Sequence, residues 1–143
     1  MIDLGPERFV LDSSALIHLE RGDHRIIRLL DRAAAGDILV TIPRTVLAET
    51  WRGGPRQARL ARFVKMADIA TTAVITLDEL TPERAKQIGM AIGSSGHDDI
   101  VDVNVALCAR NSVTGQVDAT VVTSDRGHIE RVDGTLKHVI SDI

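Results

Sequence analysis

The chain has 143 residues, a formal net charge of -3, 44% apolar residues and 2% aromatics. That length suits one domain with one sizeable core, and the apolar content is too high for a disordered chain. The acidic balance argues against a protein that coats nucleic acid by bulk electrostatics, and the absence of tyrosine argues against a stacking platform for single-stranded bases. An acidic pocket neutralised by metal ions remains compatible with the charge.

No apolar run approaches a membrane span. The first residues, Met1 to Arg8, lack a basic segment followed by an apolar one, so no signal peptide is expected. With Cys108 the single cysteine, no intrachain disulfide can form, and a reducing, cytoplasmic setting is expected.

Taken in order, Phe9 to Leu11 reads as a strand and Ala15 to Glu20 as a short helix. Asp23 is a plausible cap for a second helix, His24 to Ala35, closed by Gly36. Ile38 to Ile42 is a continuous β-branched run, the pattern of a strand buried on both faces. Pro43 suits the first turn of a helix to about Arg52, which carries Glu49. Arg56 to Ala67 is amphipathic: Leu60, Phe63, Val64 and Ala67 share a face, beside Arg56, Arg59, Arg62 and Lys65 at every third residue. Thr72 to Leu77 reads as a third strand. Thr81-Pro82 caps a helix to about Ile92, and residues 93–96, Gly-Ser-Ser-Gly, read as a loop. Asp98 to Arg110 is a helix apolar over most of its surface, so it is expected in the core. Ala119 to Thr123 is a fourth strand, Ile129 to Val132 a helical turn, and Lys137 to Ile140 a final strand. There are no repeats or linkers. Strands alternating with helices predict a single α/β domain with a parallel sheet covered by helices on both faces, an α/β/α sandwich.

Two strands end alike. Val10-Leu11-Asp12-Ser13 and Val122-Thr123-Ser124-Asp125 each place an acid just past a buried strand, and in a parallel sheet these tips share one edge. Asp12 alone could equally be a helix cap. Two further acids sit in apolar helical sequence: Glu49 within Val46 to Trp51, and Asp102 between Val101 and Val103. A carboxylate so embedded is costly unless paired or metal-bound. Asp98 is expected to cap its helix, and Asp99 is left open as a further acid beside Asp102. Four carboxylates without a histidine ligand pattern favour Mg²⁺ or Mn²⁺ over zinc. Such ions activate water and stabilise charge on a phosphate under attack, so phosphodiester hydrolysis is the best-matched chemistry.

Four segments carry a resemblance: Val10-Leu-Asp-Ser-Ser-Ala-Leu-Ile17, Pro43 to Glu49, Asp99-Ile-Val-Asp102-Val-Asn-Val-Ala106, and Val121-Val-Thr-Ser-Asp125. In order and spacing the chain resembles the PIN-domain nucleases, most of all the VapC-type toxins of bacterial toxin–antitoxin pairs. The third motif reads Val-Asp-Val where many relatives have Ala-Asp-Ala. The last lacks the further acid and aromatic often found after it. The resemblance implies that Asp12, Glu49, Asp102 and Asp125 are catalytic, metal-binding acids, with Ser13 and Thr123 or Ser124 holding water or phosphate. It further implies Mg²⁺- or Mn²⁺-dependent endonucleolytic cleavage of RNA, restraint by a cognate VapB-type antitoxin, and a homodimer.

Other residues have competing readings. The Arg56–Lys65 stripe is a solvated helix face, or a guide for RNA or an acidic partner. Trp51 is either core or an anchor for an antitoxin helix. Cys108 is expected to be a small core residue. The five histidines show no metal spacing; His97 and His128, which flank two acidic motifs, read first as passive surface residues and otherwise as phosphate contacts. Arg126 is the more credible phosphate contact. The alternatives to a nuclease are a catalytically silent PIN-fold module that binds protein or RNA, and an acidic-pocket signalling or phosphatase domain. Receiver-like signalling lacks a well-placed lysine. A dehalogenase-like phosphatase would want an acid where Ser14 stands. Neither GxGxxG nor a Walker A string occurs.

Overall fold

In the computed structural model, which describes residues 5–68 and 74–143, strands and helices alternate as expected. The elements are β1 (Arg8–Leu11), α1 (Ser13–Glu20), α2 (His24–Ala34), β2 (Leu39–Ile42), α3 (Arg44–Thr50), α4 (Ala58–Asp68), β3 (Ile75–Leu77), α5 (Pro82–Ser95), α6 (Ile100–Cys108), β4 (Thr120–Thr123), α7 (Arg126–Val132) and β5 (Ile140–Asp142). Short 3-10 turns cover Pro55–Gln57 and Gly134–His138. The five strands form one all-parallel sheet in the order β3-β2-β1-β4-β5. Flanked by the seven helices, it is the α/β architecture that the alternating pattern predicts. Among the described residues no helix is long and apolar enough to cross a membrane.

The apolar strand residues build the core. Val10 and Leu11, Val40 and Ile42, and Val121 and Val122 are buried on neighbouring central strands, as a parallel sheet covered on both faces requires. Leu16 and Leu19 from α1, Leu60 and Phe63 from α4, Val105 and Ala106 from α6, and Ile129 from α7 close over them. Cys108 is buried here as expected, and burial, with Asp78 nearby, pushes its thiol up to about 12.

Several boundaries differ from expectation, each for a local reason. Residues 93–95, expected as loop, extend α5; the helix stops only at Gly96, whose φ of +73° supplies the left-handed turn. Asp99, not Asp98, caps α6, its Oδ1 accepting from the backbone N–H groups of Val101 and Asp102 at 2.9 and 3.1 Å. Pro43 occupies the cap position of α3 rather than its first turn. That helix ends at Thr50 because the buried Gln57 side chain takes over the backbone. Its amide donates to the Thr50 carbonyl at 2.7 Å, and its oxygen accepts from the N–H groups of Arg52 and Gly53. The last strand begins at Ile140 because Asp133 caps a 3-10 turn over the residues before it. Helix α7 is longer than the expected turn. Of the strand expected at 72–77, residues 72 and 73 lie outside the described residues.

Helix α6 is not wholly sunk. Val103 to Ala106 are buried, but Ile100 is 55% exposed. The first turn of α6 therefore emerges from the core, and Asp102 sits on that turn.

Candidate acidic site at the C-terminal sheet edge

The strand order reverses direction between β1 and β4: the chain leaves β1 toward β2 on one side, and β4 lies on the other. In open parallel sheets the crevice beyond such a switch point is where ligands bind. Asp12 follows β1 and Asp125 closely follows β4, so both border this crevice.

Asp12 is 5% exposed. Its backbone N–H still bonds to the Val122 carbonyl, at 3.3 Å, which holds the two strand tips together past the ladder. Its Oδ1 accepts from the Ala15 N–H at 3.0 Å and from the Ser14 hydroxyl, and its Oδ2 accepts from the Thr123 hydroxyl. The two readings of Asp12 are thus not exclusive: it caps α1 and also faces β4. The hydroxyls reach on across the crevice. Ser14 Oγ accepts from the Ser124 N–H at 2.9 Å, and Thr123 Oγ1 accepts from the Asp125 N–H at 2.8 Å. Burial raises the Asp12 carboxyl above its ordinary value of 3.8. The Ser14, Thr123 and Ala15 donors oppose that rise, and the charge of Asp125 adds to it.

The other acids approach from helices. Glu49 on α3 accepts from the Ser13 hydroxyl at 2.5 Å, which ties it to the start of α1 beside Asp12. Asp125 is exposed, and its side chain makes no capping bond to α7. Asp102 is held by imidazoles: its Oδ2 lies 2.9 Å from His97 Nε2 and 3.7 Å from His128 Nδ1, with the two rings 6.0 Å apart. His128 stands three residues after Asp125, and α6 packs against α7, so this group adjoins the β4 tip. Spacing gave no ligand pattern for these histidines. Their position beside two acidic motifs was the one sequence signal for the contact.

Arg126 does not face the crevice. Its guanidinium binds Asp142, Glu130 and the carbonyls of Lys137 and Ile140. It fastens α7 to β5, which corrects its reading as a phosphate contact. Trp51 is 41% exposed rather than core, and lies with Leu47, Ala48, Val64 and Arg44 around an open groove of about 400 Å³. Arg56, Arg59, Arg62 and Lys65 are exposed, as a solvated stripe would be.

Whether these residues suit a metal follows from their donors. The groups at the β1 and β4 tips are carboxylate and hydroxyl oxygens, which suit a hard cation. Among the described residues, no three His, Cys, Asp or Glu side chains stand close enough to hold one ion jointly. Mg²⁺ does not need them to, since it keeps several waters and is commonly bound through one or two carboxylates. These donors would suit a hydrated ion held through Asp12 and Asp125.

Fold and acids together define an α/β protein with Asp12 and Asp125 just past the tips of the two strands that flank the switch point of its sheet. Compared with protein-family models and with curated proteins, the chain returns no match.

Proposed function

We propose that this chain is a Mg²⁺- or Mn²⁺-dependent endoribonuclease of the PIN-domain, VapC-like kind that its four motifs resemble. The observation that carries the reading is Asp12: a carboxylate buried at the switch point, beside a second acid, with no arginine or lysine ion pair among the described residues. Such a group is costly unless a cation meets it. A bound divalent ion supplies Lewis acidity at the phosphodiester and activates water. The chain's own residues do the arranging. Ser14 and Thr123 fix the Asp12 carboxylate, Thr123 also holds the Asp125 backbone, and Ser13 holds Glu49. In this reading the protein acts in the cytoplasm as a homodimer and as the toxin of a toxin–antitoxin pair. The exposed Trp51 groove is the surface available to an antitoxin helix.

The second reading is a catalytically silent module of the same fold, favoured by the lack, among the described residues, of three His, Cys, Asp or Glu side chains close enough to hold one ion. One experiment separates them. Purified protein is incubated with cellular RNA and Mg²⁺, with and without EDTA, beside Asp12→Asn. Discrete cleavage that EDTA and the substitution both abolish supports the nuclease. Cleavage unchanged in Asp12→Asn defeats the assignment of this site, and no cleavage by the wild type favours the silent module.

A further inference from the structure

We propose that His97, seconded by His128, is a positioning residue that holds Asp102 at the border of the crevice and presents it to the cation. The inference rests on the metal-dependent reading above and extends it to two residues outside the acid set.

The geometry is specific. A carboxylate only accepts, so in the 2.9 Å contact with Asp102 Oδ2 the His97 ring carries its proton on Nε2. His128 Nδ1 approaches the same oxygen at 3.7 Å, from another helix. Among the described residues no group donates to Asp102 Oδ1. One oxygen therefore has an imidazole partner, and the other is without a hydrogen-bond donor among the described residues.

His97 is itself placed firmly. Gly96, with its left-handed φ of +73°, turns the chain out of α5, and the His97 N–H bonds to Ser95 Oγ at 3.2 Å. Its side chain is 17% exposed and that of Asp102 18%, whereas that of His128 is 51% exposed. The half-buried His97 imidazole is the one within hydrogen-bond distance of Asp102.

Asp102 is also spared the duty usual for an acid in a first helical turn. Asp99 caps α6, and the Asp102 N–H donates to Asp99 rather than competing for the Asp102 side chain. A carboxylate with no capping bond, gripped on one oxygen by a ring from the preceding loop, is the arrangement by which outer partners orient a metal-facing acid. A simple tether of that loop would need no second imidazole from α7.

The test measures Mn²⁺ binding to the full-length protein by electron paramagnetic resonance of the free ion. It compares the wild type with His97→Ala, His97→Gln and Asp102→Asn, with thermal melts in metal-free buffer. The Gln amide can place a donor where Nε2 now stands. Expected is an Mn²⁺ affinity about 10-fold weaker in His97→Ala, the lower end for losing an outer-shell partner, and a loss at least as large in Asp102→Asn. His97→Gln is expected to recover most of the loss, whatever the melting points do. Wild-type affinity in His97→Ala or Asp102→Asn overturns the positioning role, as does a His97→Gln variant no better than the alanine. Failure of the wild type to bind Mn²⁺ at all overturns the metal reading itself, which sets that failure apart from the others.

Discussion

Two groups of acids in this protein differ in their partners. Away from the crevice, five acids are paired with arginine. Arg8 pairs with Asp118, Arg110 with Asp133, Arg25 with Asp23, and Arg126 with both Asp142 and Glu130. At the crevice the partners are different in kind: hydroxyls and a backbone N–H for Asp12, a hydroxyl for Glu49, and imidazoles for Asp102. Carboxyl chemistry follows the same division. Arg126 lowers Asp142. At Asp133 burial pushes upward but is outweighed by the Thr135 and Arg110 bonds, whereas at Asp12 burial wins and the carboxyl is raised. Guanidinium neutralises an acid and completes a structure. Hydroxyl and amide donors orient an acid and leave its charge uncancelled. The second arrangement is the one the proposed cation would meet.

The contrast predicts opposite results for two substitutions. Asp12→Asn should lower RNA cleavage on the order of 100- to 1000-fold, the range for losing a preorganised charge-stabilising group, while the melting temperature at neutral pH rises. Asn keeps the acceptor for the Ala15 N–H, and its amide can donate to Thr123 Oγ1. Arg110→Ala should do the reverse, lowering stability by about 1–3 kcal/mol as Asp133 loses its partner, with cleavage unchanged per folded molecule. Paired denaturation and cleavage assays check both. Arg110→Ala with normal stability, or Asp12→Asn less stable than wild type at pH 7, would erase the distinction.

Acid titration sharpens it. The folded Asp12 carboxyl is raised above its ordinary value of 3.8, so the wild type binds that proton better folded than unfolded. The stability advantage of Asp12→Asn should therefore be full at neutral pH, close as pH falls through the raised folded value, and be gone below 3.8. Asp133 has the opposite sign: its folded value is lowered, so its contribution is complete above 3.8 and is lost as pH falls further through that lowered value. The gap between wild type and Arg110→Ala should persist to lower pH than the Asp12→Asn gap. Urea midpoints between pH 3 and 7 read both curves.

How far the sequence disclosed this division depends on range. The parallel sheet was legible because its strands are short β-branched runs separated by helical periodicity, as in Ile38 to Ile42. The shared edge of Asp12 and Asp125 was legible too, since parallel topology alone brings strand tips together. Contacts across the fold were not. Nothing local shows that Gln57 ends α3, or that Arg126 turns toward Asp142, sixteen residues on, rather than toward the crevice. Asp98 and Asp99 are equally good caps on paper; the choice is made by where Gly96 stops the preceding helix. The histidines at Asp102 come from separate elements, so no spacing rule could find them.

The smallest effect expected is at Ser14, and it probes how the crevice is held rather than what it contains. Ser14 Oγ donates to Asp12 Oδ1 and accepts from the Ser124 N–H, so one hydroxyl bridges the tips of β1 and β4. In Ser14→Ala the Asp12 carboxylate keeps the Ala15 and Thr123 donors, and Ser124 is exposed enough for water to take its N–H. The loss should be about 1 kcal/mol, the usual net worth of such a bond, and cleavage should fall about fivefold. The direction of the Asp12 shift makes the result diagnostic. Ser14 is one of the donors that opposes the effect of burial, so its removal must raise the Asp12 carboxyl further. In metal-free buffer the folded-state titration of Asp12, followed by carboxyl NMR, should then move to higher pH in Ser14→Ala. A titration unchanged from wild type would mean that Ser14 spaces the strand tips and does not tune the carboxylate.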